Sequence, residues 1–279
     1  MTRFAGKSVI ITGSSSGIGR ATAVLFAKNG AQVTITGRNA EKLEATKKKL
    51  LKVVKTPDSV NVVVANLTDA QGQDQIIQSA VKKFGKIDIL INNAGANVVD
   101  GTVNTDQSID LYHKTFQINF QAVVEMVKKT KKYLIESKGE IVNVSSIAAG
   151  PQAVSMSPYY AAAKAALNQY TRCVALDLIK QGVRVNSVSP GIIATNFMGA
   201  MGVPEQAQKK IVNLFASEKG CIPAGVPGKP EDIAELIVFL SDRKRSFYIV
   251  GQSIVADGGT SLISPMESQN LEDVMELGT

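Results

Sequence analysis

The sequence predicts an α/β fold: a parallel sheet covered on both faces by helices, in one domain. Three observations predict it. Short runs of β-branched residues alternate with longer stretches whose apolar residues recur every three or four positions. The runs end in polar or glycine-bearing turns, which places those turns at one edge of the sheet. The chain has 279 residues, 44% hydrophobic and 20% charged, enough for a single large core, with no low-complexity linker or internal repeat to divide it.

Lys7 to Thr12 reads as the first strand and runs into Gly13-Ser-Ser-Ser-Gly17-Ile-Gly19. Arg20 to Asn29 then has helical periodicity through Ala21, Val24, Leu25 and Lys28, ending at Gly30. In this context Gly13 allows a tight turn, and Gly17 and Gly19 let backbone approach a pyrophosphate at the helix N-terminus. A plain tight turn is the competing reading. The second strand, Gln32 to Thr36, ends in Gly37-Arg38-Asn39. NAD sites place an acid near this point for the ribose 2′-hydroxyl, whereas the fork of Arg38 suits a 2′-phosphate, so NADP(H) is expected with NAD(H) as the alternative. The bland account is that Arg38 opens the exposed helix of Ala40 to Lys52.

Val60 to Ala65 is the third strand, followed by Asn66-Leu67-Thr68, and Ile87 to Ile91 the fourth, followed by Asn92-Asn93-Ala94-Gly95. The helix of Ala70 to Phe84 lies between them. A long helical stretch from about Ser108 to Ser137 carries Asn119 between Ile118 and Phe120. That amide is either a satisfied core group or one that holds a water or bends the helix at a site. Glu140 to Ser146, the fifth strand, delivers Ser145 and Ser146 at its carboxyl end.

The next helix has Ser157 as its expected N-cap and Pro158 in its first position, and runs through Ala163, Leu167, Tyr170, Val174 and Leu178 to a stop at Gly182. Tyr160 and Lys164 stand four apart, neighbours on one helical face. A free phenol, with a pKa of about 10, is a poor acid or base at neutral pH, and a cation one turn away favours the phenolate. Taken alone, the pair is equally two residues on a solvated helix. Val183 to Val188 is the sixth strand, ending in Ser189-Pro190-Gly191-Ile-Ile-Ala-Thr195, and Ser253 to Ala256 the seventh.

Composition excludes several classes. Cys173 and Cys221 with the single His113 give neither a disulfide framework nor a metal site and fit a reducing, cytoplasmic setting. No signal peptide or membrane span is expected. The net charge of +7 comes with only 5% aromatic residues, and its lysines (Lys47 to Lys49, Lys128 to Lys132) lie on helical faces, so nucleic-acid binding is not expected. A solvated surface, or steering of an anionic cofactor, accounts for the charge.

Taken together, Thr12 to Gly19, Asn92 to Gly95, Asn119, Ser146, Tyr160, Lys164 and Pro190 to Thr195 resemble the ordered motifs of the short-chain dehydrogenase/reductase family, from about Phe4 to Gly259. The resemblance implies a Rossmann-like, doubly wound fold with a seven-stranded parallel sheet in one domain (1–259), a substrate lid at about 196–227 and a tail at 260–279. It implies Tyr160 as general acid–base, Lys164 lowering the phenol's pKa and holding the nicotinamide ribose, Ser146 steadying the substrate oxygen and Asn119 positioning a water. For the cofactor it implies Gly13, Gly17, Ile18 and Gly19 at the pyrophosphate, and Arg38 and Ser15 at the adenosine phosphate. Asn66, Leu67 and Asn93 would lie on the adenosine side, and Pro190, Gly191, Ile193 and Thr195 toward the carboxamide. Two departures stand out. Asn66 replaces a common acid, and Ser146 lies fourteen residues before Tyr160, one more than is usual, so Ser145 is a fallback.

The lid segment from Asn196 to Pro227 holds Phe197, Met198, Met201, Val203, Leu214, Phe215 and Cys221, either an adaptable apolar cover or ordinary helix core. With no charge between Asn196 and Val203, a medium-sized alcohol or carbonyl compound is expected as the small-molecule substrate. Family habit implies a homotetramer or homodimer, partly through the helix of Tyr160 to Gln181. The alternative function is a non-catalytic NADP(H)-sensing protein, against which the four intact catalytic candidates argue. A cofactor-using epimerase is disfavoured by the short chain after the last strand.

Overall fold

In the computed structural model, which describes residues 3–217 and 221–264, the seven strands form a parallel sheet in the order β3-β2-β1-β4-β5-β6-β7. These are β1 (Ser8–Ile11), β2 (Gln32–Gly37), β3 (Val60–Val64), β4 (Ile89–Asn92), β5 (Glu140–Val144), β6 (Arg184–Pro190) and β7 (Ser253–Ala256). The chain winds outward one way from β1 and the other way from β4. The crevice between those two carboxyl ends is where such a sheet binds ligands.

Central strands covered on both faces must be apolar throughout, and β1 and β4 are buried at every residue. Their side chains alternate between two cores. Val9 and Ile11 pack with Phe26 of α1 (Gly17–Lys28), Leu43 of α2 (Ala40–Leu51) and Ile237 of the later helix Pro230–Ser241. Ile10 faces the other way, toward Ile76 of α3 (Ala70–Phe84), Met126 and Leu167. Among the described residues no helix is long and apolar enough to cross a membrane.

The expected long helix from Ser108 to Ser137 is broken into α4 (Ile109–Phe116), one π turn (Gln117–Gln121) and α5 (Ala122–Ser137). The break falls on Asn119, whose amide donates to the Thr115 carbonyl of its own helix (2.9 Å) and to Ala96 outside it (2.7 Å). A side chain inserted into the helical ladder in this way produces a local bulge. The helix after β5, α6 (Pro158–Ile179), starts at Pro158 as expected, and Gly182 beyond its end has a left-handed φ of +85°. Ser157, however, makes no capping hydrogen bond. Helices α7 (Glu205–Ser217), α8 (Pro230–Ser241) and the short α9 (Arg243–Ser246) follow.

At the opposite, amino edge of the sheet, Glu140 is buried between Arg184 (2.9 Å) and Arg243 (2.7 Å). Arg184 is fully buried, and its remaining donors reach the carbonyls of Leu240, Ser246 and Ile249. The cluster ties β5 and β6 to the segment after α8. Removing one partner from such a cluster costs about 3–5 kcal/mol.

Candidate active site

The first turn is built to let backbones meet. Gly13 and Gly17 have φ of +64° and +51°, a region open to glycine at little cost. A Cβ on Gly13 would lie 2.8 Å from Cα of Ala94 in the turn after β4. Thr12 Oγ1 accepts from the N–H groups of Asn93 and Ala94 at 3.0 Å, and Asn93 Nδ2 donates to the Thr12 and Gly13 carbonyls at 2.9 and 3.1 Å. The Asn93 amide, expected on the adenosine side, is thus used to join the two turns. Gly19 is closely packed as well. Its Cβ would sit 2.5 Å from both Asn93 Nδ2 and the Gly13 carbonyl, so it serves close packing of helix on turn.

Helix α1 begins at Gly17, three residues earlier than the periodicity predicts, and its N-cap residue Ser16 makes no side-chain cap bond. The first N–H groups of α1 are therefore left for an anion. Thr195 comes in from the loop after β6, so that a Cβ on Gly17 would lie 3.2 Å from its methyl group. Gly17 and Thr195 bracket the same spot. Ile18 and Ile193 contribute apolar packing against the core, Ile193 lying beside Gly228. Pro190 closes β6, and Gly191 gives the room its neighbour Asp257 requires, a Cβ there lying 2.6 Å from that of Asp257.

At the end of β2, Ser15 Oγ lies 3.3 Å from where a Gly37 Cβ would stand, and Arg38 is exposed beside them. Ser14, which the sequence reading did not single out, fixes this corner by bonding the carbonyl of Ile11 and both backbone groups of Thr36. Asn66 turns inward on its own loop, its Oδ1 accepting from Thr68 Oγ1 (3.0 Å) and its Nδ2 donating to Asp69 (3.1 Å). Leu67 is a core residue. The Asn66 amide is thus engaged within its own loop, and the Leu67 side chain in the core.

The catalytic candidates converge on Gly95. A Cβ there would lie 2.8 Å from Asn119 Oδ1 and 3.1 Å from Lys164 Nζ, so only glycine lets the two side chains approach the turn. Asn119, fully buried, accepts from Ala96 N at 3.1 Å and returns a bond to Ala96 O at 2.7 Å. Lys164 Nζ donates to the Val144 carbonyl (2.9 Å) and lies 5.8 Å from the Tyr160 ring centroid. Phe197 of the lid segment faces the same ring at 5.9 Å. The two serines after β5 part company. Ser145 is buried and bonds the Lys164 carbonyl (3.3 Å), whereas Ser146 lies beside the Tyr160 phenol, which removes Ser145 as the fallback.

Burial pushes the Tyr160 phenol up to about 12, and the Ser146 hydroxyl, which hydrogen-bonds the charged form, pulls against it. The same burial brings Lys164 down to about 8. The expected lowering of the phenol by Lys164 is not met in this structure. The ammonium is directed at the Val144 carbonyl, and burial is the largest influence on the phenol. The arrangement is that of a proton-bearing phenol beside a hydroxyl and an amine, next to a turn shaped for an anion. A cleft of about 780 Å³ opens by Gly17 and Thr195 between α1, α7 and α8, and Tyr160 does not line it.

A family model described as enoyl-(acyl carrier protein) reductase matches residues 13–261. Among solved structures, a short-chain dehydrogenase/reductase of unknown function from Caenorhabditis elegans, determined with cofactor, is 61% identical, with a TM-score of 0.95 and coverage of 96% of this chain and 100% of that one. Glucose dehydrogenase of the same organism is 52% identical, with a TM-score of 0.82 and coverage of 94% and 100%. The 3-oxoacyl-(acyl-carrier-protein) reductase of Thermotoga maritima is 34% identical over 258 residues, 92% of this chain and 98% of its own.

Proposed function

Because the chain belongs to the short-chain dehydrogenase/reductase family of oxidoreductases, we propose that it transfers hydride between NADP(H) and an alcohol or carbonyl compound, with Tyr160 as general acid–base. The observation that carries this is the meeting of Lys164 and Asn119 at Gly95, with the Tyr160 ring beside Lys164 and Ser146 hydrogen-bonded to the phenol, next to the glycine turn after β1. Relatives named for glucose and for a 3-oxoacyl group support the alcohol or carbonyl class.

The residues fit a nicotinamide dinucleotide. The uncapped first turn of α1, Gly17 and Thr195 would hold the pyrophosphate, and Ser15 with Arg38 the 2′-phosphate. When bound, the cofactor supplies the hydride donor or acceptor. The chain supplies the proton and the geometry. Ser146 orients the substrate oxygen, and Tyr160 Oη delivers a proton to that oxygen in reduction or removes it in oxidation. Lys164 and Asn119, fixed through Val144 and Ala96, hold the amine and the turn in place. A positioned acid–base of this kind contributes roughly 10²–10⁴ in rate.

The cofactor choice is tested by fluorescence titration with NADPH and NADH on wild type and Arg38→Ala. The wild-type protein is expected to bind NADPH more tightly, and Arg38→Ala to weaken NADPH by about tenfold or more while leaving NADH unchanged. Equal affinities in the wild type, or no loss on removing Arg38, would contradict the NADP assignment.

A further inference from the structure

Ser157 does something its sequence context does not ask of it. It stands at the N-terminus of α6, where a serine ordinarily bonds a first-turn N–H, and that bond is worth having. Here the hydroxyl turns away and accepts from Asn97 Nδ2 at 2.8 Å. Asn97 Nδ2 also meets Met201 Sδ of the lid at 3.8 Å. A local preference given up at such a place points to a functional use of the group.

The position of the pair identifies that use. Ser157 immediately precedes α6 and stands three residues before Tyr160. Asn97 follows Gly95 and Ala96, the two residues that seat Lys164 and Asn119. Met201 and Phe197, from one short helical turn (Phe197–Met201), touch Asn97 and the Tyr160 ring respectively. The pair therefore stands between the turn that seats Lys164 and Asn119 and the short helix whose Phe197 faces the Tyr160 ring. Among the described residues, Asn97 Oδ1 accepts no hydrogen bond and the Ser157 hydroxyl donates none. One acceptor and one donor side by side match a group that both donates and accepts.

Resting on the oxidoreductase function above, we propose that Asn97 and Ser157 form a specificity subsite that holds a second hydroxyl of the substrate, on a carbon next to the one oxidised or reduced. The substrate class is then a vicinal diol or hydroxy-carbonyl compound rather than a simple alcohol or ketone. An analogue with hydrogen in place of that hydroxyl leaves both groups unpaired, which is how polar sites discriminate strongly.

The test uses matched probes, cyclohexanol against trans vicinal cyclohexanediol and isopropanol against propylene glycol. Each is oxidised with NADP by the wild type, Ser157→Ala, Asn97→Ala and Ser157→Thr. Saturation-transfer NMR of the same probes reports binding without turnover. The wild type is expected to favour each diol by about tenfold or more in kcat/KM, and both alanine variants to lose most of that ratio through KM. Ser157→Thr, which keeps the hydroxyl, is expected to retain the ratio. A purely structural role would lower both members of a pair alike and leave the ratio unchanged, which would overturn the subsite. A wild type that oxidises the simple alcohols as well as the diols would overturn it too, with the oxidoreductase function intact. Binding of NADPH with no turnover of any probe would remove both.

Discussion

Tyr160 keeps its proton at neutral pH because the phenolate is costly to bury, and with a pKa pushed up to about 12 nearly all of it is in the protonated form that donates. In the proposed role, reduction uses the protonated phenol, which is the dominant form through the neutral range. Oxidation needs the phenolate, whose fraction grows as pH rises toward the raised pKa. Initial rates in the two directions should therefore diverge, oxidation climbing from about pH 6 to about pH 10 while reduction stays level and then falls. An oxidation rate that falls over that interval would contradict the assignment of Tyr160 as base. The residues legible in sequence are those whose spacing carries chemistry, such as Tyr160 with Lys164. Gly95 was visible as part of a turn, but its role depends on Asn119 and Lys164 arriving from distant segments, 2.8 and 3.1 Å from a Cβ it lacks. Asn97 belongs to no pattern, and only its bond to Ser157 marks it.

Among the elements, α3 has the bounds expected from sequence, and α6 begins at Pro158 as expected. Its inner face carries Ala163, Lys164, Leu167, Thr171, Ala175 and Leu178, all buried. Its outer face leaves Leu176 69% exposed, and β7, an outer strand of the sheet, leaves Val255 50% exposed. Exposed apolar side chains on an outer strand and on a long helix are ones that contact between copies of the chain would cover. These two support the proposed homotetramer, with a homodimer if only one is used. Light scattering at micromolar concentration should return four, or two, times the chain mass, and a monomer would contradict the assembly. Less legible were the π turn and the Glu140–Arg184–Arg243 cluster. A helix bulge depends on a partner outside the helix, here Ala96. A charged residue opening a strand reads as solvent-facing, and nothing local to Arg184 announces the three carbonyls and one carboxylate that allow its full burial.

The whole molecule places its chemistry by topology. Seven parallel strands bring every turn with a proposed role to one edge, and the reversal between β1 and β4 opens the crevice there. That much was legible, because the strand–turn–helix alternation dictates it. The twenty residues of the tail, 260–279, were left as a separate segment, and most of them (265–279) lie outside the described residues. The central claim is that this edge transfers hydride with Tyr160 moving the proton, and one measurement tests it most directly: turnover of Tyr160→Phe on alcohol and carbonyl probes, with NADPH binding titrated on the same preparation. The account predicts a loss of roughly 10²–10⁴ in kcat with NADPH affinity retained. Near-normal turnover in that variant would contradict it.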